Sequence, residues 1–221
     1  MAFNCKKDLQ KETNLEVVNQ VKFLGLILDN NLNWQQHIEI IINKLNSVCF
    51  LIRNLKNMSP RQVLLSAYYG YFYPVIDYGV MFWGNVPEAK NVFKLQKRAL
   101  RYIFNVNKST SCRPLFLNNN IMTLPCLYIR HCLLYVKQNI NTFTKVSDIH
   151  DIKTRRTSKL YQTKCKTVKL QKSFSCISVK LYNKLPSNTR NLGFKSFKKE
   201  ITKILLSKVF YNTDEYFNES F

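Results

Sequence analysis

The sequence feature that most constrains the fold is a long, unbroken apolar stripe between residues 38 and 55. Its members follow one another at spacings of three, one, three, three, one, three and three residues: Ile38, Ile41, Ile42, Leu45, Val48, Cys49, Ile52 and Leu55. That spacing places every member on one face of an α-helix of about six turns. Asn33 is a favourable capping residue, so the helix is predicted to run from Trp34 to about Lys56.

A short apolar run before this helix predicts a strand followed by a turn. Phe23 to Leu28 is apolar and partly β-branched, which is typical of a buried strand. Gly25 has no side chain, which suits a place where another backbone or a ligand comes close. The next residues, Asp29-Asn30-Asn31, are typical of a turn.

Most of the remaining chain is helical in pattern. Ser59 is predicted to cap a second helix in a capping box with Gln62, and Pro74 is predicted to break or kink it. Further helices are expected at residues 74–83, 90–104, 124–139 (capped by Thr123), 176–185 and 194–209, with a loop at 105–120 and a β-ribbon within 151–172. The predicted fold is mainly α: a helical bundle, preceded by a short β strand or hairpin and followed by a basic α/β C-terminal segment.

The charge balance indicates the kind of partner. The chain has 34 Lys and Arg against 13 Asp and Glu, a net charge of +21. Such an excess repels itself unless a polyanion lies nearby, which indicates nucleic acid or an anionic membrane surface. The membrane is the weaker of the two, because the aromatic residues of the helix at 90–104 are needed for a core. Scattered cysteines, a polar N-terminal stretch and the lack of a long apolar run predict a nuclear or cytoplasmic protein that is not secreted.

Two groups of basic residues are candidate nucleic-acid contacts. One lies at helical spacing on the polar side of the helix at 90–104: Lys90, Lys94, Lys97, Arg98 and Arg101. The other lies in the β-ribbon region: Lys153, Arg155, Arg156, Lys159, Lys164 and Lys166. A basic stripe on a helix matches the charge of a phosphate backbone. The ordinary alternative is a solvated outer face, but only Glu88 is near enough in sequence to offset the first group, which favours binding.

Residue patterns for catalysis or metal binding are missing from the sequence. No two aspartates are adjacent, whereas polymerase and nuclease chemistry needs clustered carboxylates that hold two metal ions. The spacings fit no zinc-finger pattern, although Cys112, Cys126, His131, Cys132 and His150 lie within one stretch. Ordinary buried cysteines are the simpler interpretation. Asp29 and Asp77 are expected to be caps or hydrogen-bond partners, and no catalytic residue, metal, cofactor or small-molecule substrate is expected.

Several segments of the sequence, taken together in their order and spacing, resemble segments of a known protein family. They are Val21–Ile38 (V-K-F-L-G-L-I-L-D-N-N-L-N-W-Q-Q-H-I), Ile76-Asp77-Tyr78-Gly79, Trp83-Gly84, Leu95-Gln96-Lys97-Arg98-Ala99-Leu100-Arg101, Ser111-Cys112-Arg113-Pro114-Leu115-Phe116, Leu124-Pro125-Cys126-Leu127-Tyr128-Ile129, His150-Asp151-Ile152-Lys153-Thr154-Arg155-Arg156 and Leu181-Tyr182-Asn183-Lys184-Leu185-Pro186. Over residues 15–212 the chain resembles the reverse transcriptases of jockey-like, insect-type non-LTR retrotransposons. In that family the segment matching Phe23, Leu24 and Gly25 lies at the primer grip, between the catalytic palm motifs and the thumb.

The resemblance implies an RNA-directed DNA polymerase that binds an RNA template and a DNA primer or target. The family's catalytic Y-x-D-D box is expected upstream of Val21, where only 20 residues stand and Asp8 is the sole aspartate. We therefore expect a thumb and C-terminal fragment that binds nucleic acid without its own catalytic centre, Mg²⁺ being needed only in the full-length polymerase. The implied division is a remnant of the palm end and primer-grip strand at 1–30, a helical thumb-like domain at 31–145, and a basic segment with two helices at 146–221.

Two other interpretations stay open. The chain could be a structural or interaction remnant, or a domesticated protein, with no nucleic-acid role. It could also be an active reverse transcriptase, which would extend a primer on a template when given Mg²⁺ and nucleotides. No primer extension is expected, since the sequence offers nothing to hold the metal pair.

Overall fold

The computed structural model of the protein describes residues 18–148, 159–162, 166–171 and 173–221, and these are mainly helical. Two short strands come first: β1 (Gln20–Phe23) and β2 (Leu26–Asp29) form an antiparallel hairpin, in which Gln20 pairs with Asp29 and Phe23 with Leu26. The predicted combination of a helical bundle with a short hairpin near its start is confirmed.

The hairpin corrects the prediction of one buried strand from Phe23 to Leu28. Leu24 and Gly25 form the two-residue turn, with φ values of 47° and 81°. Positive φ at both positions matches the twist of the flanking strands, and glycine adopts it at little cost. Of this run only Leu26 is buried, while Phe23 and Leu24 are 57% and 73% exposed.

The long helix α1 (Gln35–Leu55) confirms the apolar stripe, but its cap differs from the prediction. Trp34 rather than Asn33 takes the N-cap position, with φ 64° and no side-chain capping hydrogen bond of its own. The Asp29 carboxylate instead accepts hydrogen bonds from the backbone N–H groups of Asn31 (2.9 Å), Asn33 (3.1 and 3.0 Å to its two oxygens) and Trp34 (3.0 Å). One carboxylate thus ties the end of β2 to the start of α1.

The helix after α1 is widened rather than broken at its proline. It runs through α2 (Arg61–Ala67), a π-helical turn (Tyr68–Phe72) and α3 (Tyr73–Asp77), and α4 (Val80–Trp83) follows. A π-turn before Pro74 accommodates a residue that has no N–H and a bulky ring. Pro60 stands at the N-cap of α2 without a side-chain cap, so the predicted Ser59 capping box is wrong.

Three helices form the middle of the bundle: α5 (Ala89–Ile103), α6 (Arg113–Asn118) and α7 (Leu124–Gln138). α5 packs along α1. The Thr123 cap is confirmed, since its Oγ1 accepts a hydrogen bond from the Cys126 N–H at 3.2 Å. α6 is an addition to the prediction, which had a loop there; Pro114 lies in its first turn and Phe116 is buried.

The C-terminal part has more helices than the two predicted. It contains α8 (Val168–Gln171), α9 (Phe174–Lys184), α10 (Ser187–Asn191), α11 (Phe194–Lys208) and α12 (Thr213–Asn218), preceded by 3-10 turns at Ile140–Thr142 and Val146–Asp148. α9 and α11 confirm the two predicted helices. Much of the predicted β-ribbon lies outside the described residues; within them, Leu160 makes an isolated antiparallel bridge to Lys145, and the Val168–Gln171 stretch is helical.

Buried side chains from α1 to α12 belong to one hydrophobic cluster, which includes Leu45, Trp83, Leu100, Tyr128 and Phe197. In the parts of the chain that the structure describes, no helix is both long and apolar enough to cross a lipid bilayer.

Candidate nucleic-acid interface

Helix α5 separates its apolar and basic side chains as the sequence predicts. Its buried face consists of Ala89, Val92, Phe93, Leu95, Gln96, Ala99, Leu100 and Ile103. Lys90, Lys94 and Arg98 are exposed, and Lys97 and Arg101 are half-buried. Since a helix turns about 100° per residue, Lys90, Lys94, Lys97 and Arg101 form one row along α5 and Arg98 lies to one side of it.

A buried glutamine sets the rotation of α5 about its axis. The Gln96 side chain is fully buried, and its Nε2 donates to the Tyr68 hydroxyl and to the Met122 carbonyl, both at 2.9 Å. Its Oε1 accepts from the Leu124 N–H at 2.9 Å. These bonds tie α5 to the π-turn and to the start of α7. The basic row on the opposite side of α5 therefore has a fixed direction.

Two cations of this row are held in place by neutral partners. The Lys97 Nζ lies 4.7 Å from the centre of the Phe93 ring and 5.4 Å from that of Tyr211. The Arg101 guanidinium donates to the Thr110 carbonyl from Nε at 3.2 Å and from Nη2 at 3.0 Å. Neither contact cancels a positive charge, so both side chains are positioned and remain able to attract an anion.

The row continues onto a neighbouring segment that the sequence did not single out. Arg113, at the start of α6, stacks over the Tyr211 ring at 4.5 Å. Burial raises the pKa of Tyr211, and the cations of Arg113 and Arg101 oppose that rise. Lys97 and Arg101 likewise oppose the burial-raised pKa of the Cys112 thiol. These shared neighbours place Lys97, Arg101 and Arg113 on one surface.

The basic side chains of α5 and of Arg113 differ in whether a carboxylate pairs with them. Among the described residues, none of the five basic side chains of α5 is ion-paired; the Lys94 Nζ donates only to the Asn91 side-chain oxygen, at 3.3 Å. Arg113 Nη2, in contrast, is 3.0 Å from both carboxylate oxygens of Glu215. Within the described part of the chain, the α5 row is thus a strip of positive charge without a carboxylate partner, bordered by one paired arginine.

Only two members of the second predicted group of cations, Lys159 and Lys166, lie within the described residues. Lys159 is half-buried and its carbonyl accepts from the Val146 N–H at 3.0 Å, while Lys166 is exposed. Lys153, Arg155, Arg156 and Lys164 lie outside the described residues. No contact in the described part of the chain joins Lys159 or Lys166 to the α5 row.

A further basic row lies on α11. Lys195, Lys198, Lys199 and Lys203 are exposed, as the helical pattern predicts, while Phe197, Ile201 and Leu205 are buried and Ile204 is only half-buried. The helical pattern predicts that these lysines lie on the outer side of α11, but they are not among the nucleic-acid contacts predicted from the sequence. The same spacing argument that singled out α5 would have found them.

The residues predicted to resemble a primer grip form the tip of the hairpin. Phe23 and Leu24 are exposed there, next to Gly25 in the turn. The Tyr78 hydroxyl donates to the Leu24 carbonyl and connects this tip to the end of α3.

The candidate metal ligands do not come together. No group of three or more His, Cys, Asp or Glu side chains suited to a metal is found in the described ranges, which exclude His150. Cys126 and Cys132 are buried in the core, and burial raises their thiol pKa values to about 11 and about 12. Asp77 is a hydrogen-bond partner, as predicted: its Oδ1 lies 2.8 Å from His131 Nε2 and links α3 to α7.

The interface on α5 can attract phosphates by charge. Comparisons with known proteins do not identify a family for this chain. No protein-family profile matches the chain, nor does any curated protein or solved structure.

Proposed function

We propose that this chain is the thumb and C-terminal region of a non-LTR retrotransposon reverse transcriptase of the jockey-like type, and that it binds template–primer or target DNA. Its role in that proposal is binding rather than catalysis. The resemblance of the ordered segments between residues 15 and 212 supports the family. The charge on α5 supports the binding role, independently of the resemblance.

The observation that carries the proposal is the basic row on α5, which has no carboxylate partner among the described residues and lies on a helix held by buried hydrogen bonds. Lys90 and Arg101 are eleven residues apart, which corresponds to about 16 Å along a helix. One strand of a duplex presents a phosphate about every 3.4 Å along its axis, so the row spans roughly five phosphates. Lysines and arginines that touch only phosphates hold the strand without reading its sequence.

Salt dependence tests the binding role directly. We expect the full chain to bind a fluorescein-labelled RNA–DNA hybrid of arbitrary sequence, with anisotropy as the measurement. If about four or five phosphates are neutralised, log K should fall with log salt at a slope near −4 between about 50 and 200 mM salt. A slope of log K against log salt near zero would contradict the binding proposal.

Paired substitutions show whether α5 makes the contact. Lys94→Gln with Arg98→Gln should weaken binding about tenfold and reduce the slope by about two, since each cation touching a phosphate contributes about one. Lys145→Gln with Lys184→Gln removes the same charge from exposed sites outside α5 and should change affinity much less. Equal losses in the two double variants would mean that only net charge matters and that α5 is not the interface.

The α11 lysines provide a second arm of that experiment. Lys195→Gln with Lys199→Gln removes two exposed charges from another helix. A loss equal to that of the α5 variant would extend the contact to α11, whereas an unchanged affinity would confine it to α5. Primer extension with Mg²⁺ and nucleotides, measured on the same preparation, is expected to yield no product; an extended primer would overturn the non-catalytic part of the proposal.

A second candidate function is protein contact through the hairpin tip. Phe23 and Leu24 expose 57% and 73% of their surface, and adjacent exposed apolar residues favour association with protein. Light scattering on the chain and on a Phe23→Ser, Leu24→Ser variant would test it. Concentration-dependent self-association that this variant abolishes would support the contact, and a monomer at all concentrations would count against self-association through the tip.

A further inference from the structure

A pocket of about 390 Å³ lies between the hairpin, α1 and α3. Its lining includes the exposed cations Lys22 and Lys44, the buried side chains of His37 and Ile41, the half-buried Val75 and the exposed Tyr78. Pockets of roughly 300–1,000 Å³ with apolar walls and a few polar groups are the usual form of a small-molecule site. This pocket is separate from the α5 row.

Two hydrogen bonds across the pocket hold its walls together. The Tyr78 hydroxyl, at the end of α3, donates to the Leu24 carbonyl in the hairpin turn. The Ile27 N–H of β2 donates to His37 Nδ1 of α1 at 3.5 Å. The turn glycine, Gly25, also belongs to the lining, and a Cβ there would stand 3.6 Å from the Tyr78 ring. The walls come from three elements, yet each is tied to the next.

The charge of the lining has one sign. Among the described residues that line the pocket, Lys22 and Lys44 are the only ionised side chains, and none is a carboxylate. Burial lowers the pKa of His37, and the positive charge of Lys44 lowers it further, so the ring is neutral at pH 7. An anion entering the pocket meets two ammonium groups and no competing acid.

The buried histidine lacks one hydrogen-bond partner. His37 is 5% exposed and lies between Trp34 and Trp83, with ring centroids 6.0 and 6.2 Å away. Because Nδ1 accepts from Ile27, the proton of the neutral ring is on Nε2, and that atom has no acceptor among the described residues. A buried donor without a partner is costly and uncommon.

We propose that this pocket binds a small organic anion: a phosphate or similar group held by Lys22 and Lys44, on an apolar ring that packs against Ile41, Val75 and Tyr78. Neither half of such a molecule would suffice. The ring needs the apolar wall, and the anion needs the two lysines. The proposal does not depend on nucleic-acid binding by α5.

Calorimetric titration of the full chain with phenyl phosphate tests the proposal. Phenyl phosphate should bind at least about tenfold more tightly than phenol or inorganic phosphate, each of which supplies one half of the recognition. Lys22→Gln and Lys44→Gln should each weaken binding by about tenfold, because each removes one charge-assisted contact. Ile40→Trp, at an exposed lining residue, should block the pocket and abolish binding while the melting temperature is unchanged.

Arg53→Gln is the matched control for Lys44→Gln. Arg53 is an exposed cation on the opposite flank of the apolar face of α1 and does not line the pocket. Its loss should leave the affinity for phenyl phosphate unchanged, and so should the Lys94→Gln, Arg98→Gln variant of α5. Binding of inorganic phosphate as tight as that of phenyl phosphate would overturn the proposal. Equal weakening in Arg53→Gln and Lys44→Gln would overturn it too.

Discussion

The Gln96 amide nitrogen lies 2.9 Å from the Tyr68 hydroxyl oxygen, and both side chains are completely buried. The two residues come from α5 and from the π-turn before Pro74. This polar contact inside an apolar core ties α5 to the π-turn on its buried side.

Replacing Gln96 by Leu should destabilise the fold by about 3 kcal/mol, because it leaves the Tyr68 hydroxyl, the Met122 carbonyl and the Leu124 N–H without partners in the core. Urea denaturation measures the change. Gln138→Leu, at an exposed position near the end of α7, is the control and should cost less than about 0.5 kcal/mol. Equal stability of the two variants would show that the buried network does not hold α5.

Replacing Asp29 by Ala should destabilise the fold by about 1–2 kcal/mol, since three backbone N–H groups lose their acceptor where β2 meets α1. Thermal melting followed by circular dichroism reports the loss. Glu39→Ala removes an exposed carboxylate from α1 that accepts only from Gln35, at 3.3 Å, and should have little effect. A Glu39 effect as large as that of Asp29 would point to net charge rather than capping.

Replacing Glu215 by Gln should free Arg113 for an anion and tighten nucleic-acid binding by about two- to threefold. The ion pair is partly exposed, so its loss should cost the fold only about 0.5 kcal/mol. Anisotropy at low salt is the measurement. Glu219→Gln is the control: it removes an equal charge from the same segment, where the partner is Lys208 at 2.8 Å. If both variants tighten binding equally, the gain comes from net charge and Arg113 has no special place in the interface.

Stability should fall as the pH drops below about 6.5, the ordinary pKa of histidine, because burial lowers the pKa of His37 in the folded chain. The unfolded chain then binds a proton that the folded chain excludes, so acidification favours unfolding until the folded pKa is passed. Urea denaturation at several pH values measures this slope. Lys44→Gln should make the slope shallower, since it removes a charge that lowers the same pKa. An unchanged slope in His37→Phe would assign the pH dependence to other groups.

Helix positions and their buried faces were predictable because they depend on local periodicity. The stripe from Ile38 to Leu55 and the segregated faces of α5 repeat with the helical period, and each needs only some apolar surface opposite. The Thr123 cap was equally local, since donor and acceptor are three residues apart. The turn at Leu24-Gly25 has a local signal too, a glycine between two short apolar runs, but the continuous apolar run from Phe23 to Leu28 predicts one strand instead.

The features that form the two candidate sites could not be predicted in the same way. Arg113 and Glu215 are 102 residues apart, and Gln96 is 28 residues from Tyr68, so no spacing rule relates them. The pocket depends on the hairpin lying against α1 and α3, and its lysines are 22 residues apart in the sequence. Asp29 displaced the predicted Asn33 cap for a similar reason, because a carboxylate across the turn reaches three N–H groups at once.

The sequence alone therefore determined a mainly helical, strongly basic chain and the outward row of cations on α5. Hydrophobic periodicity and net charge are properties of the sequence itself. Tertiary structure decided which of the described cations stay unpaired, which residues the Gln96 side chain ties to α5, and where a hairpin and two helices enclose a pocket. Those outcomes depend on contacts between distant residues, and such contacts exist only after the chain has packed.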